Sequence, residues 1–196
     1  MFANRFTAFI DACTLADTLR RNLLLTLAEA EFFRIRWSTT VMAETQNAIE
    51  KILLKKGDPE ASEKAWRACQ YMADAFQDAE VVDFDDYALM GASLPDPKDA
   101  HVLAAALKTR AAMIVTENLK DFPESILGRL NLEAKSADSF VADTIALDAG
   151  RAVSAIKQMR ERFKKPEVTA EKLLLEMEAR GLTETVDVLK PYVESL

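Results

Sequence analysis

Carboxylates recur in this sequence at points where a folded chain would present them together. The run 94–122, LPDPKDAHVLAAALKTRAAMIVTENLKDF, opens on Asp96-Pro97-Lys98-Asp99. Asp96 suits a helix N-cap, Pro97 the first helical position, and Asp99 the third. Further on, Glu117, Asn118 and Asp121 follow the apolar run 112–116. Two more acids stand in comparable places: Asp11 after the apolar stretch 6–10, and Glu44 within a helical pattern. Carboxylates gathered in one place repel and raise one another's pKa values. A hard divalent cation with oxygen ligands relieves that repulsion.

The elements that must position these residues are legible from periodicity. The stretch 6–10 reads as a first strand with Asp11 at its carboxyl end. Asp11 either ends that strand and caps the next segment, or belongs to a site there. The span 17–30 is helical, with Leu19, Leu23, Leu24, Leu27 and Ala28 on one face and Arg20 and Arg21 opposite. A second strand is predicted over 33–37. A helix capped by Ser38, Thr39 or Thr40 then carries Val41, Glu44, Ala48, Ile49 and Ile52. Glu44 shares a face with Val41 and Ala48, where a carboxylate is costly unless it is paired, binds a cation or reaches solvent.

Gly57-Asp58-Pro59 breaks that helix. The span 60–76 forms another, with Ala65, Trp66, Cys69, Met72 and Phe76 toward the core. A short strand over 79–84 and a loop through Gly91 lead into the helix 100–108 and a buried strand over 112–116. A helical turn over 125–130, a weak edge strand over 131–134 and a helix from Ser136 come next. After Gly150 stand three amphipathic segments: 153–163, 170–180 capped by Thr169, and 184–193 capped by Thr183.

This order predicts an α/β fold with a mainly parallel central sheet. Residues 1–145 form one domain and 146–196 a C-terminal helical extension. In such sheets ligands gather beyond the carboxyl ends of the strands.

The chain has 196 residues, nearly half of them apolar, a net charge of −7 and two cysteines without metal-type spacing. The acidity argues against coating of nucleic acid through bulk charge. No run reaches the length of a membrane span, and the N-terminus lacks the pattern of a secretory signal. A cytoplasmic protein with free thiols is expected. Cys13 occupies the second position of an aspartate-nucleophile phosphatase loop, where an acid is required. No Gly-x-Ser-x-Gly elbow makes His101 the base of a hydrolase. A receiver-type phosphoacceptor lacks its paired acids.

The segments FIDACTL, RWSTTVMAETQNAI, LPDPKDAHVLAAAL and MIVTENLKDFP, in this order, resemble a PIN domain of the VapC-type toxin ribonuclease branch over the first three-quarters of the chain. The resemblance implies a three-layer α/β/α fold. It implies metal-dependent endonucleolytic cleavage of RNA, with Mg²⁺ or Mn²⁺ as cofactor. By position, Asp11, Glu44 and Asp99 match the family's three acidic catalytic and metal-site residues. Thr116 matches its hydroxyl residue. Asn118 stands where many members carry a fourth Asp, with Asp121 and Asp96 as candidate substitutes. A cognate antitoxin and a homodimer are the implied partners. The alternative is a PIN-like scaffold that has lost cleavage and acts through protein contacts. Arg20, Arg21, Arg34, Arg36, Lys55 and Lys56 are candidate phosphate contacts or ordinary surface charges.

Overall fold

The computed structural model describes residues 6–87, 94–164 and 167–196. Contacts divide the chain into two compact units. The first holds Met1–Asp17 and Arg34–Lys135, and the second Thr18–Phe33 and Ser136–Leu196.

The first unit is built on five strands: β1 (Thr7–Ile10), β2 (Arg34–Ser38), β3 (Glu80–Val81), β4 (Met113–Val115) and β5 (Glu133–Lys135). They form one sheet in the order β3-β2-β1-β4-β5. Every pairing is parallel. In β1, Ala8, Phe9 and Ile10 are all fully buried although alternate residues point to opposite faces. Such a strand is apolar on both sides because it is central and parallel. The order reverses at β1, so with right-handed crossovers the helices between β2 and β3 lie on the face opposite those between β3 and β5. This is the three-layer α/β/α arrangement that the resemblance implies.

Helix α1 (Ala12–Ala16) follows β1 directly. Ser38 caps α3 (Thr39–Lys55), its hydroxyl accepting from the Val41 N–H at 3.2 Å. Helix α4 (Ala61–Ala75) returns toward β3. Asp96 caps a 3-10 turn over Pro97–Asp99, which runs into α5 (Ala100–Lys108). Val102, Leu103, Ala104, Ala105 and Ala106 of α5 are buried. The three alanines allow close approach to β1, β2 and β4, which α5 contacts. Helix α6 (Glu124–Leu127) joins β4 to β5. The Trp37 and Phe76 rings meet edge to face, 6.0 Å apart.

The second unit is helical. It comprises α2 (Thr18–Glu29), α7 (Ala137–Leu147), α8 (Ala149–Glu161), α9 (Ala170–Ala179) and α10 (Thr183–Leu189). Helix α2 packs on α7 and α8, and α10 on α7 and α9. Phe33 and Phe140 stack edge to face at 4.8 Å, and the Arg151 guanidinium lies 4.5 Å from the Phe32 ring centroid.

Several expectations are corrected. Trp66 is 52% exposed. The buried stripe of α4 is Ala61, Ala65, Cys69 and Met72, and Trp66 lies one residue off it. In α3 the stripe is Val41, Thr45 and Ile49, which leaves Glu44 exposed on its flank and Ile52 40% exposed. Arg21 is buried, in step with Leu24 and Ala28 along α2. Strand β3 spans two residues where six were expected. Helix α10 is capped by Asp138 from α7 and not by Thr183. Asp138 Oδ2 accepts from the Glu184 N–H at 2.9 Å, and Oδ1 from the Thr185 N–H at 2.8 Å. The loop expected through Gly91 falls, from residue 88 to 93, outside the described residues. Both cysteines are free, as expected. Among the described residues no helix is long and apolar enough to cross a membrane.

Candidate active site

Strand order reverses between β1 and its neighbours, and the crevice at such a switch point opens beyond the strands' carboxyl ends. Asp11 and Thr116 are the first residues past β1 and β4. The ladders hold both backbones in place: the Asp11 N–H donates to Val115 O at 3.0 Å, and the Thr116 N–H to Lys135 O at 2.9 Å. Both residues are buried.

The Asp11 carboxylate is oriented from three sides. Oδ1 accepts from the Ala12 N–H at 2.6 Å, as the cap of α1. Oδ2 accepts from Thr116 Oγ1 at 2.7 Å and from Cys13 Sγ at 3.1 Å. Thr116 Oγ1 in turn accepts from the Asn118 N–H at 3.1 Å. Cys13 is exposed as a residue, but its sulfur contacts Asp11 and Thr116 and accepts from the Glu117 N–H at 3.3 Å. Desolvation there, and then the Asp11 charge, push the thiol up to about 11.

Asp99 enters from the N-terminus of α5. Its Oδ2 is buried with no hydrogen-bond partner. Burial, followed by the charges of Asp11, Asp96 and Asp121, raises this carboxyl to about 6, with His101 opposing. Asp96 is oriented by the Lys98 N–H, which donates to Oδ1 at 2.9 Å. Asp121 is buried, and its Oδ2 accepts from the Asn118 amide. Asp11, Asp96, Asp99 and Asp121 therefore act on one electrostatic centre, and Asn118 joins it through Asp121.

Glu44 is set apart. It is half-exposed, and its Oε1 lies 3.3 Å from Nε2 of His101, one turn into α5. A carboxylate only accepts, so the contact requires the proton on Nε2. His101 Nδ1 is buried without a partner. His101 thus sits beside Glu44.

Cys13 was not among the expected site residues. Its signal was present: it lies two positions after an acid at a strand end. Of the expected phosphate contacts, Arg21 is buried, Arg36 donates to Asp78 O, and Arg20 donates to Arg180 O at 2.9 Å.

The donor set is all oxygen, and it contains a buried acceptor whose hydrogen-bonding capacity is unmet. Both features suit a hard divalent cation. Among the described residues no three Asp, Glu, His or Cys side chains already form a metal-binding group.

A parallel sheet with acids at its switch point defines a class of carboxylate-bearing α/β domains. Residues 7–120 match the family model of the PIN domain, and the chain belongs to that family. Residues 137–191 match a second family model, the VapC50 C-terminal domain. Over 77 residues the chain is 39% identical to a Mycobacterium tuberculosis protein named "Putative ribonuclease VapC50". That match covers 39% of this chain and 46% of the relative, so it spans about half of the relative's length. No solved structure matches the chain at a significant level.

Proposed function

We propose that this chain is a metal-dependent endoribonuclease of the VapC type, cleaving RNA phosphodiester bonds with water as the nucleophile. The observation that carries this reading is the buried, unpartnered Asp99 Oδ2 in the field of Asp11, Asp96 and Asp121. PIN-family membership and the partial likeness to a protein named as a ribonuclease support it.

In this reading Asp11 and Asp99 hold Mg²⁺ or Mn²⁺. Glu44 is a ligand or an orienter of water, and Asp96, Asn118 and Asp121 form the rim. When bound, the cation neutralises the scissile phosphate and makes water a nucleophile at neutral pH. Thr116, Cys13 and the Ala12 N–H hold Asp11 in one rotamer, so its orientation is set before substrate arrives. His101 restrains Glu44 on the neighbouring helix. Asn118 places a neutral amide where an acid would add repulsion, and it spends that amide on Asp121. Residues 1–145 would carry the chemistry and 146–196 the helical extension. The setting is cytoplasmic, with a cognate antitoxin as inhibitor and a homodimer as the working form.

The Asn118–Asp121 bond also favours a second reading, a PIN scaffold without cleavage. One assay separates the two. Pure protein is incubated with a structured and a single-stranded RNA in Mg²⁺ or Mn²⁺, in EDTA, and as the Asp11→Asn variant. Metal-dependent cutting absent from the variant establishes the nuclease. Tight Mn²⁺ binding without cutting of either RNA selects the scaffold.

A further inference from the structure

The second unit contains a groove that the chemistry above does not use. It lies between the start of α2, the end of α8 and one side of α9, with a volume of about 580 Å³. Thr18, Leu19 and Asn22 come from α2, and Phe163 and Val168 from the segment after α8. Its charged lining is Arg162, Lys164, Lys172 and Arg180 against the single acid Glu176. Four cations on one groove stand out in a chain of net charge −7. An adjoining hollow of about 350 Å³ shares Phe163 and Lys164, but there Arg160 and Lys164 are balanced by Glu161 and Glu167. The excess of cations is therefore found in the lining of the larger groove and not in that of the smaller.

The groove is held in shape by its own backbone contacts. Arg20 of α2 donates to Arg180 O at 2.9 Å, which fixes the end of α9 against α2. Arg160 donates to Val168 O at 2.7 Å and to Leu196 O at 2.9 Å, which ties both residues to the end of α8. Arg162 is shared with Glu29 at 3.3 Å, and both of those side chains are exposed. A solvent-exposed pair of this kind is weak and leaves the guanidinium available. Lys164, Lys172 and Arg180 are exposed.

We propose that this groove binds the phosphodiester backbone of single-stranded RNA. Spaced cations along an open groove match a repeating monoanion and gain affinity by releasing its counterions. Buried Leu19 and Val168 and the half-buried Phe163 ring offer an apolar and aromatic floor for ribose and base. Thr18 and Asn22 add hydroxyl and amide groups that can meet a 2′-OH. An acidic protein helix would instead need a continuous apolar stripe, and this groove mixes polar and apolar residues along its walls. The choice of RNA among polyanions rests on the ribonuclease reading; the positive groove does not.

The test is fluorescence anisotropy of a labelled single-stranded RNA of about 12 nucleotides. It uses the full-length protein in EDTA across a salt series. Wild type is compared with the Lys164→Gln/Lys172→Gln double variant and with Lys51→Gln, an exposed lysine of α3. Thermal melts confirm that each variant is folded. The expected result is salt-dependent binding that the double variant weakens about 10-fold or more, with the salt slope reduced by about 2. Lys51→Gln binds as wild type. Unchanged affinity and slope in the double variant overturn the proposal. So does binding of labelled poly-glutamate through these lysines with no binding of RNA. If wild type binds RNA here yet cuts none in Mg²⁺, the groove stands and the nuclease reading falls. Cleavage without any contribution from the lysines has the opposite meaning.

Discussion

Thr116 Oγ1 donates to Asp11 Oδ2 at 2.7 Å, joining residues 105 positions apart at the carboxyl ends of two adjacent parallel strands. The bond is buried, and the same hydroxyl accepts from the Asn118 N–H. Thr116→Val keeps the shape and removes both bonds. The expected outcome is a loss of about 1 kcal/mol of stability and about 10-fold in RNA cleavage, since orienting bonds of this kind carry such factors. Thr116→Ser should retain most of both. Denaturant melts and single-turnover cleavage of the three proteins check this.

Asp99 makes the metal-free protein pH-sensitive. Its carboxyl is raised from the ordinary value of 3.8 to about 6 in the folded state. The folded state therefore holds this proton more tightly than the unfolded chain does. That contribution is fully present below about 4 and is lost as pH rises through about 6. Above that, the folded protein carries the whole cost of the charge. Asp99→Asn removes the cost, so the variant should be more stable than wild type at pH 7 by roughly 1 kcal/mol. The group is only partly buried, which cuts the full-shift value. The gain should vanish near pH 4. Urea melts in EDTA at the two pH values read it. Mn²⁺ should raise the wild-type melting temperature and leave that of the variant unchanged.

Cys13 should behave as a neutral thiol. With its pKa near 11, its thiolate fraction at pH 8 is very small and alkylation is slow. Removing the Asp11 charge in Asp11→Asn takes away the second-largest cause of the rise. Iodoacetamide labelling of Cys13, followed by peptide mass mapping, should be faster in that variant. Equal rates in the two proteins would mean that Asp11 does not act on the sulfur.

Asp138 should be the most sensitive single position in the helical unit. Both of its oxygens accept N–H groups at the start of α10, and Thr185 Oγ1 donates to its backbone carbonyl at 3.2 Å. Asp138→Ala leaves those N–H groups buried and unmet, a loss of about 2 kcal/mol. Thr183→Ala, at the position whose sequence looked like the cap, should cost much less. Paired chemical melts decide between them.

How much the sequence discloses depends on the range of each interaction. Asp96, Pro97 and the alanine run define α5 to the residue, because capping and helix entry are local. Asp11 and Thr116 are legible as strand ends because short apolar runs bounded by polar residues are local too. Trp66 and Arg21 were misplaced because a helical repeat reports the width of an apolar stripe better than its phase. The Asp138 cap was illegible because its partners lie 46 and 47 positions away. The Glu44–His101 contact and the raised Asp99 carboxyl likewise depend on elements brought together only by the sheet. The cationic groove was invisible for the same reason. Its residues come from opposite ends of the chain, and four of its cations lie away from the expected phosphate contacts.

Helix α2 lies early in the chain but belongs to the late-formed unit. It is complete at Glu29, while its packing partners begin at Ala137 and Ala149. During vectorial synthesis Leu23, Leu24 and Leu27 must wait for more than a hundred further residues before they find their neighbours. Contacts so distant in sequence form slowly. A ribosome-bound chain therefore keeps α2 without these partners until α7 and α8 emerge. A chain interrupted before α7 and α8 are made leaves α2 without those partners.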